Sequence, residues 1–158
     1  DTPAQVFLMY YLVDTNRDNG CLRVIPGSHR HRHRLHGLPQ AHADEIEAAG
    51  EDQPALQPDP DEVDVPVKAG DLVIGDARLL HSAHSNRSAT RRTVITLWFL
   101  PTYDELSESL LAFYKGTPTN KPASWTPASW TKFQLLLAAY EGSAHPAENN
   151  RIPDARLA

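Results

Sequence analysis

The chain has 158 residues, of which 41% are apolar and 22% charged, a composition that suits one globular domain with a sizeable core and not a disordered tail. Fifteen Lys and Arg against twenty Asp and Glu give a net charge of −5, which argues against a nucleic-acid partner. The longest apolar run, Val6 to Val13, is too short to cross a bilayer. The single cysteine, Cys21, excludes an internal disulfide framework and a cysteine-rich zinc site, so a cytoplasmic chain with no membrane partner is expected. The oligomeric state is not readable from the sequence.

Gln5 to Val13 (QVFLMYYLV) is short, aromatic and β-branched, and reads as a buried strand. Turn residues from Asp14 to Gly20 end in Asn19-Gly20, and Cys21 to Ile25 forms a second strand stopped by Pro26-Gly27. The two strands are expected to pair antiparallel. Residues 37–62 read as an acidic surface excursion: from Asp44 to Asp64 there are nine acids and no Lys or Arg, with one short helix expected at Ala43 to Ala49. Further strands are expected at Val63 to Val67, Leu72 to Ile74, Arg78 to Ala83 and Thr93 to Leu100.

After Pro101 the apolar period changes from strand to helix. Leu106, Leu110 and Phe113 share a helical face, with Asp104 as the expected cap and Gly116 as the stop. Thr126-Pro127 reads as a cap followed by proline in the first turn, with Trp130, Phe133 and Leu137 on one face. The pentapeptide Pro-Ala-Ser-Trp-Thr occurs in tandem at 122–126 and 127–131, too short a repeat for a solenoid. The organisation expected is a β core over 1–101, a helical extension of the same domain over 102–142 and a frayed tail over 143–158.

Strand parity sorts the histidines. Leu79, His81 and Ala83 share one face of their strand and Leu80, Ser82 and His84 the other, so His81 and His84 cannot readily hold one metal ion. A simple hairpin at Asn86-Arg87 sets residue 81 opposite Arg92; if the two strands join different sheets of a sandwich, both side chains can still aim at one interior. On residue types alone, His81 reads as a hydrogen-bonded core histidine and Arg92 as a rim arginine. The tract His29 to His36 (HRHRHRLH) reads first as a solvated loop. Its alternatives are a basic lip drawing in an anionic substrate and a nickel- or zinc-binding tract. Trp98, Trp125 and Trp130 read as packing groups.

Two blocks of sequence carry a resemblance. Asp18 to Arg30 (DNGCLRVIPGSHR) resembles the signature of the phytanoyl-CoA dioxygenase family, and Val67 to Ile74 with Leu80 to Arg92 resembles that family's distal-ligand block. The likeness runs from Gln5 to about Pro101. It implies a mainly β fold, a double-stranded β-helix of the jelly-roll or cupin-like kind with C-terminal helices, and an iron(II)- and 2-oxoglutarate-dependent oxygenase acting on a small organic molecule. It further implies that His81 is the distal ligand of a two-His-one-carboxylate iron site, and that Arg92, eleven positions later, binds the far carboxylate of 2-oxoglutarate. Met9 matches a residue lining the cosubstrate pocket, and Ala83 stands where relatives often offer a hydroxyl.

The family's other two metal ligands, a His-x-Asp pair on an earlier strand, have no match: eighteen residues precede Asn19 and none is His. The chain begins Asp1-Thr2-Pro3 without an initiator Met and is expected to be an N-terminally incomplete piece of a longer protein, inactive or weakly active alone. His42-Ala43-Asp44 spells the motif but falls in the acidic excursion, and reads as a decoy. The rival readings are a non-catalytic β-barrel that binds a small anion through Arg92 and a cupin-like metal isomerase.

Overall fold

The computed structural model of the chain describes residues 2–38, 53–54, 56–116, 120–148 and 152–154. The expected helix at 43–49 lies outside them. The chain divides into two compact units, one of Asp1–Pro101 with Arg151–Ala158 and one of Thr102–Asn150. Among the described residues, no helix is long and apolar enough to cross a membrane.

Among its described residues the first unit is built from six short antiparallel strands: β1 (Val6–Tyr11), β2 (Leu22–Val24), β3 (Val63–Val65), β4 (Leu72–Asp76), β5 (His81–Ala83) and β6 (Val94–Phe99). They form two three-stranded sheets, ordered β4-β1-β6 and β3-β2-β5. β1 sits in the middle of its sheet, where the run VFLMYY satisfies both backbone edges. Its side chains alternate. Phe7, Met9 and Tyr11 share one face, and Phe7 and Tyr11 on that face are about 1% exposed. The opposite face is not buried as the continuous apolar run suggests, because Tyr10, Leu72, Ile74, Ile95, Leu97 and Phe99 lie open on it.

β1 and β2 do not pair with each other as expected; they occupy different sheets. The ten residues between them are too many for a tight hairpin and carry the chain across the sandwich. Thr15 bridges Val67, and Asn16 and Asn19 tie the turn by reciprocal bonds, Asn16 N–H to Asn19 Oδ1 at 2.7 Å and Asn19 N–H to Asn16 Oδ1 at 3.2 Å. The turn closes at Gly20, whose φ of 92° is left-handed and whose missing Cβ would lie 2.8 Å from the carbonyl oxygen of His84.

β5 is shorter than the expected Arg78 to Ala83. The Asp76 carboxylate captures the backbone N–H of Arg78 at 2.9 Å and its guanidinium at 2.7 Å, folding residues 76–79 into a turn. The strands flanking Asn86 make no hairpin: β5 pairs with β2, and β6 pairs with β1. The two-sheet alternative is the one realised.

The second unit holds α1 (Glu108–Lys115) and α2 (Pro127–Gln134). Ser107, not Asp104, caps α1, because its hydroxyl accepts the N–H of Leu110 while Asp104 lies in a preceding 3-10 turn. Leu106 therefore precedes the helix, and Gly116 ends it. Thr126 caps α2 by accepting the N–H of Ser129 at 3.1 Å, with Pro127 in the first turn. The tandem pentapeptide splits its tasks: the first copy forms the turn into the helix and the second its first turn. Trp125 and Trp130 thus meet Phe133 at ring distances of 5.2 and 5.6 Å, while Leu137 lies beyond the helix end. The N–H of Ala147 bonds to the carbonyl of Ser109 at 2.9 Å, which ties the described part of the tail to α1.

Candidate functional site

His81 opens β5 opposite Val24 of β2 and faces the other sheet, its ring 4.7 Å from Phe7 and 6.5 Å from Trp98. The strand is seated from the Pro26-Gly27-Ser28 turn. Gly27 takes a φ of 77°, and the buried Ser28 hydroxyl accepts the N–H of Leu80 at 2.8 Å, directly before His81. The Nδ1 of His81 lies 2.8 Å from the carbonyl oxygen of Leu79. A carbonyl only accepts, so Nδ1 is the donor, and in the neutral ring the lone pair then lies on Nε2. That is the arrangement in which an imidazole binds a metal ion, with the distal N–H held by a backbone carbonyl. Trp98, expected as a packing group, is half-exposed beside this ring.

Arg92 precedes β6, and its Nη1 donates to the carbonyl of Gly20 at 2.6 Å. It is half-buried, and no carboxylate pairs with it among the described residues. Its charge also reaches Tyr11, whose hydroxyl is pushed above its usual range by burial, against the pull of the guanidinium. The Tyr11 hydroxyl points to the Met9 sulfur at 3.7 Å. Phe7, Met9 and Tyr11 lie along one face of β1, so His81 stands at the Phe7 end and Arg92 at the Tyr11 end of the same interior strip. Ala83 is half-buried opposite Leu22. Phe7 and Tyr11 are the members of this strip that sequence reasoning did not single out; their parity with Met9 was the available signal.

His84 points away from that strip. Its Nε2 meets Asp64 Oδ1 at 2.6 Å, and that hydrogen bond chiefly, with His84, Arg17 and Arg23 charge adding to it against partial burial, holds the Asp64 carboxyl below the usual range. Asp64 shares this outer face with Arg23, which is almost fully buried. Arg23 bonds Glu62 at 2.9 Å and the carbonyl of Leu56 at 2.9 Å, clamping the described end of the acidic excursion over the sheet.

The basic tract is not simply a solvated loop. Arg30, His31 and Arg32 are exposed, but Arg34 pairs with the buried Asp59 at 2.5 Å, His33 lies 3.4 Å from Asp61, and His36 is buried. A cavity of about 290 Å³ opens there, lined by Gly27, Ser28, His31, Arg32, His33 and Asp61, away from the strip between His81 and Arg92. His42-Ala43-Asp44 lies outside the described residues. Among the described residues, the clusters of three potential metal ligands are Cys21 with Asp64 and His84, and His33 with Asp59 and Asp61; His81 belongs to neither.

Residues 1–94 match the family model described as phytanoyl-CoA dioxygenase (PhyH). A curated relative, phytanoyl-CoA dioxygenase 1 of Oryza sativa subsp. japonica, is 36% identical over 104 residues, which cover 65% of this chain and 35% of the relative. The chain thus spans about a third of the length of that relative. Among solved structures, EvdMO1 is similar at 31% identity over 63% of this chain and 20% of its own, with a TM-score of 0.42. HygX from Streptomyces hygroscopicus, with nickel and 2-oxoglutarate bound, is similar at 24% identity over 63% of this chain and 37% of its own, with a TM-score of 0.47.

Proposed function

Since this chain belongs to the phytanoyl-CoA dioxygenase family, we propose that it forms part of an iron(II)- and 2-oxoglutarate-dependent oxygenase that hydroxylates a small organic substrate, on a fold of the double-stranded β-helix kind. The observation that carries the proposal is the state of His81. Its Nδ1 proton is held by the Leu79 carbonyl, so Nε2 is free to ligate a metal ion. An ordinary core histidine would be expected to commit both ring nitrogens.

Each residue then has a task. His81 would supply one imidazole of an iron site, leaving positions for a bidentate cosubstrate. Arg92, anchored on the Gly20 carbonyl through one nitrogen, keeps further N–H donors for the far carboxylate of 2-oxoglutarate. Phe7 and Tyr11 are four residues apart, on the order of 13 Å of strand, a span that a metal ion on His81 and an elongated ligand with acceptors facing Arg92 would bridge together. A five-carbon diacid has that form. Met9 and Ala83 would line its apolar middle, and the buried Tyr11 would hold water away from the guanidinium. When bound, iron and 2-oxoglutarate supply oxidative decarboxylation to succinate, coupled to oxidation of a substrate C–H bond.

The remaining two ligands belong, in this proposal, to sequence outside these 158 residues, and the small-molecule substrate is selected by loops. The test is succinate formation under iron(II), ascorbate and oxygen, comparing this chain with one extended on its N-terminal side. The extended chain should turn over 2-oxoglutarate and the short one should do so weakly. Equal turnover would contradict the ligand assignment and make His42 and Asp44 the next residues to mutate. One observation favours a second reading: His81 belongs to no cluster of three potential metal ligands among the described residues. A barrel that binds a small anion at Arg92 without iron would bind 2-oxoglutarate equally well with and without metal.

A further inference from the structure

The outer face of the β3-β2-β5 sheet holds a second group of ligating side chains. Sγ of Cys21, a carboxylate oxygen of Asp64 and a ring nitrogen of His84 all lie within 4.8 Å of one another. Sheet register assembles them. The N–H of His84 donates to the carbonyl of Cys21 at 3.0 Å, which makes the two cross-strand neighbours, and Asp64 pairs with Arg23, two residues on from Cys21. Alternation therefore puts all three on the face opposite His81. The left-handed Gly20 makes the contact possible, since any side chain there would strike the His84 carbonyl.

We propose that Cys21, Asp64 and His84 form a binding site for a zinc-type divalent ion, with a fourth position open to water. Sulfur and imidazole together favour zinc or cobalt(II) over magnesium or calcium, and three protein ligands plus water complete a tetrahedron. The Asp64 side chain is 30% exposed, which leaves a solvent path, whereas Cys21 is fully buried and His84 nearly so. On binding, the Cys21 S–H proton leaves to solvent as the sulfur–metal bond forms. Ligation through His84 Nε2 replaces its 2.6 Å hydrogen bond to Asp64; the Nε2 proton moves through solvent to Nδ1, and no electron is transferred. Burial, with the Asp64 charge adding to it, raises the Cys21 thiol above its usual range. The other cluster, His33 with Asp59 and Asp61, lacks this vacancy for a cation: Arg34 already sits on Asp59 at 2.5 Å. At Asp64 the competing cation is Arg17, at 3.5 Å and 63% exposed, which an entering ion can displace.

The site is independent of the oxygenase reading, and so is its test. Cobalt(II) is titrated into the full-length protein after chelator treatment, and the absorption of a thiolate-to-cobalt charge-transfer band is followed. The band should appear with one equivalent of cobalt, be displaced by zinc, vanish in Cys21→Ser and persist in His81→Ala. No sulfur-based band, or one that survives in Cys21→Ser, overturns the proposal. Should Cys21→Ser fail to fold, His84→Gln decides: cobalt affinity should fall by at least about tenfold, and unchanged affinity overturns the proposal.

Discussion

On its outer face the β3-β2-β5 sheet holds polar side chains that bond one another, with Arg23 Nε the exception, whereas His81 and Arg92, between the two sheets, keep polar atoms open. Outside, Arg23 bonds Glu62 and two backbone carbonyls, and His84 bonds Asp64. Inside, His81 is held through Nδ1 alone, and the Arg92 guanidinium meets a carbonyl but no carboxylate among the described residues. Both groups are only half-buried, so each can exchange water for a ligand.

The largest effect expected on stability lies on the outer face. Arg23→Ala leaves Glu62 buried without its cation, and breaking such a pair costs about 3–5 kcal/mol. Urea denaturation measures it. The inner site should bind as before in whatever fraction stays folded, and a matching loss of cosubstrate affinity per folded molecule would erase the distinction between the faces.

A smaller effect, and on binding only, is expected at Arg92. Arg92→Ala removes a charged partner of the far carboxylate, worth about 2 kcal/mol or more and so roughly thirtyfold in 2-oxoglutarate affinity. Arg92→Lys should recover little of it, since an ammonium cannot keep the Gly20 carbonyl and fork onto a carboxylate as well. Titration with 2-oxoglutarate reads both variants; a lysine variant equal to the native chain would remove the bidentate role.

The smallest effect is a pH dependence of the outer face. The hydrogen bond from His84 keeps the Asp64 carboxyl below its usual value. A depressed carboxyl contributes stability that is present above the unfolded-state value and is lost as pH falls through the folded-state value. Thermal melts between neutral and acidic pH should therefore show a loss that Asp64→Asn abolishes in that acidic window. An unchanged acid profile in the variant would mean that the pair contributes nothing.

The sequence made some of this legible and hid the rest for identifiable reasons. β1 and β6 are clear because their aromatic and β-branched runs have turn residues at both ends, and Thr126-Pro127 marks a helix start because both residues suit it. Asp104 and Ser107 are equally good caps by type, and only the local turn decides between them. Parity alone divides His81 from His84, since alternation is local to one strand. Which strand lies beside which is not local, and for that reason the pairing of β1 with β4 and β6, rather than with β2, was hidden. Cys21, Asp64 and His84 were hidden on the same ground: they are far apart in sequence and meet only through the register of β2 with its two neighbours. The bond that most defines His81, from its own ring to Leu79, is a side-chain detail of a turn that the sequence suggested would be strand.

The most direct measurement is a calorimetric titration of 2-oxoglutarate into the full-length protein without oxygen, with and without iron(II), on the native chain and His81→Ala. The account predicts saturable binding that iron strengthens in the native chain, and loss of that iron-dependent gain in His81→Ala. Binding in His81→Ala that iron strengthens to the native degree would contradict it.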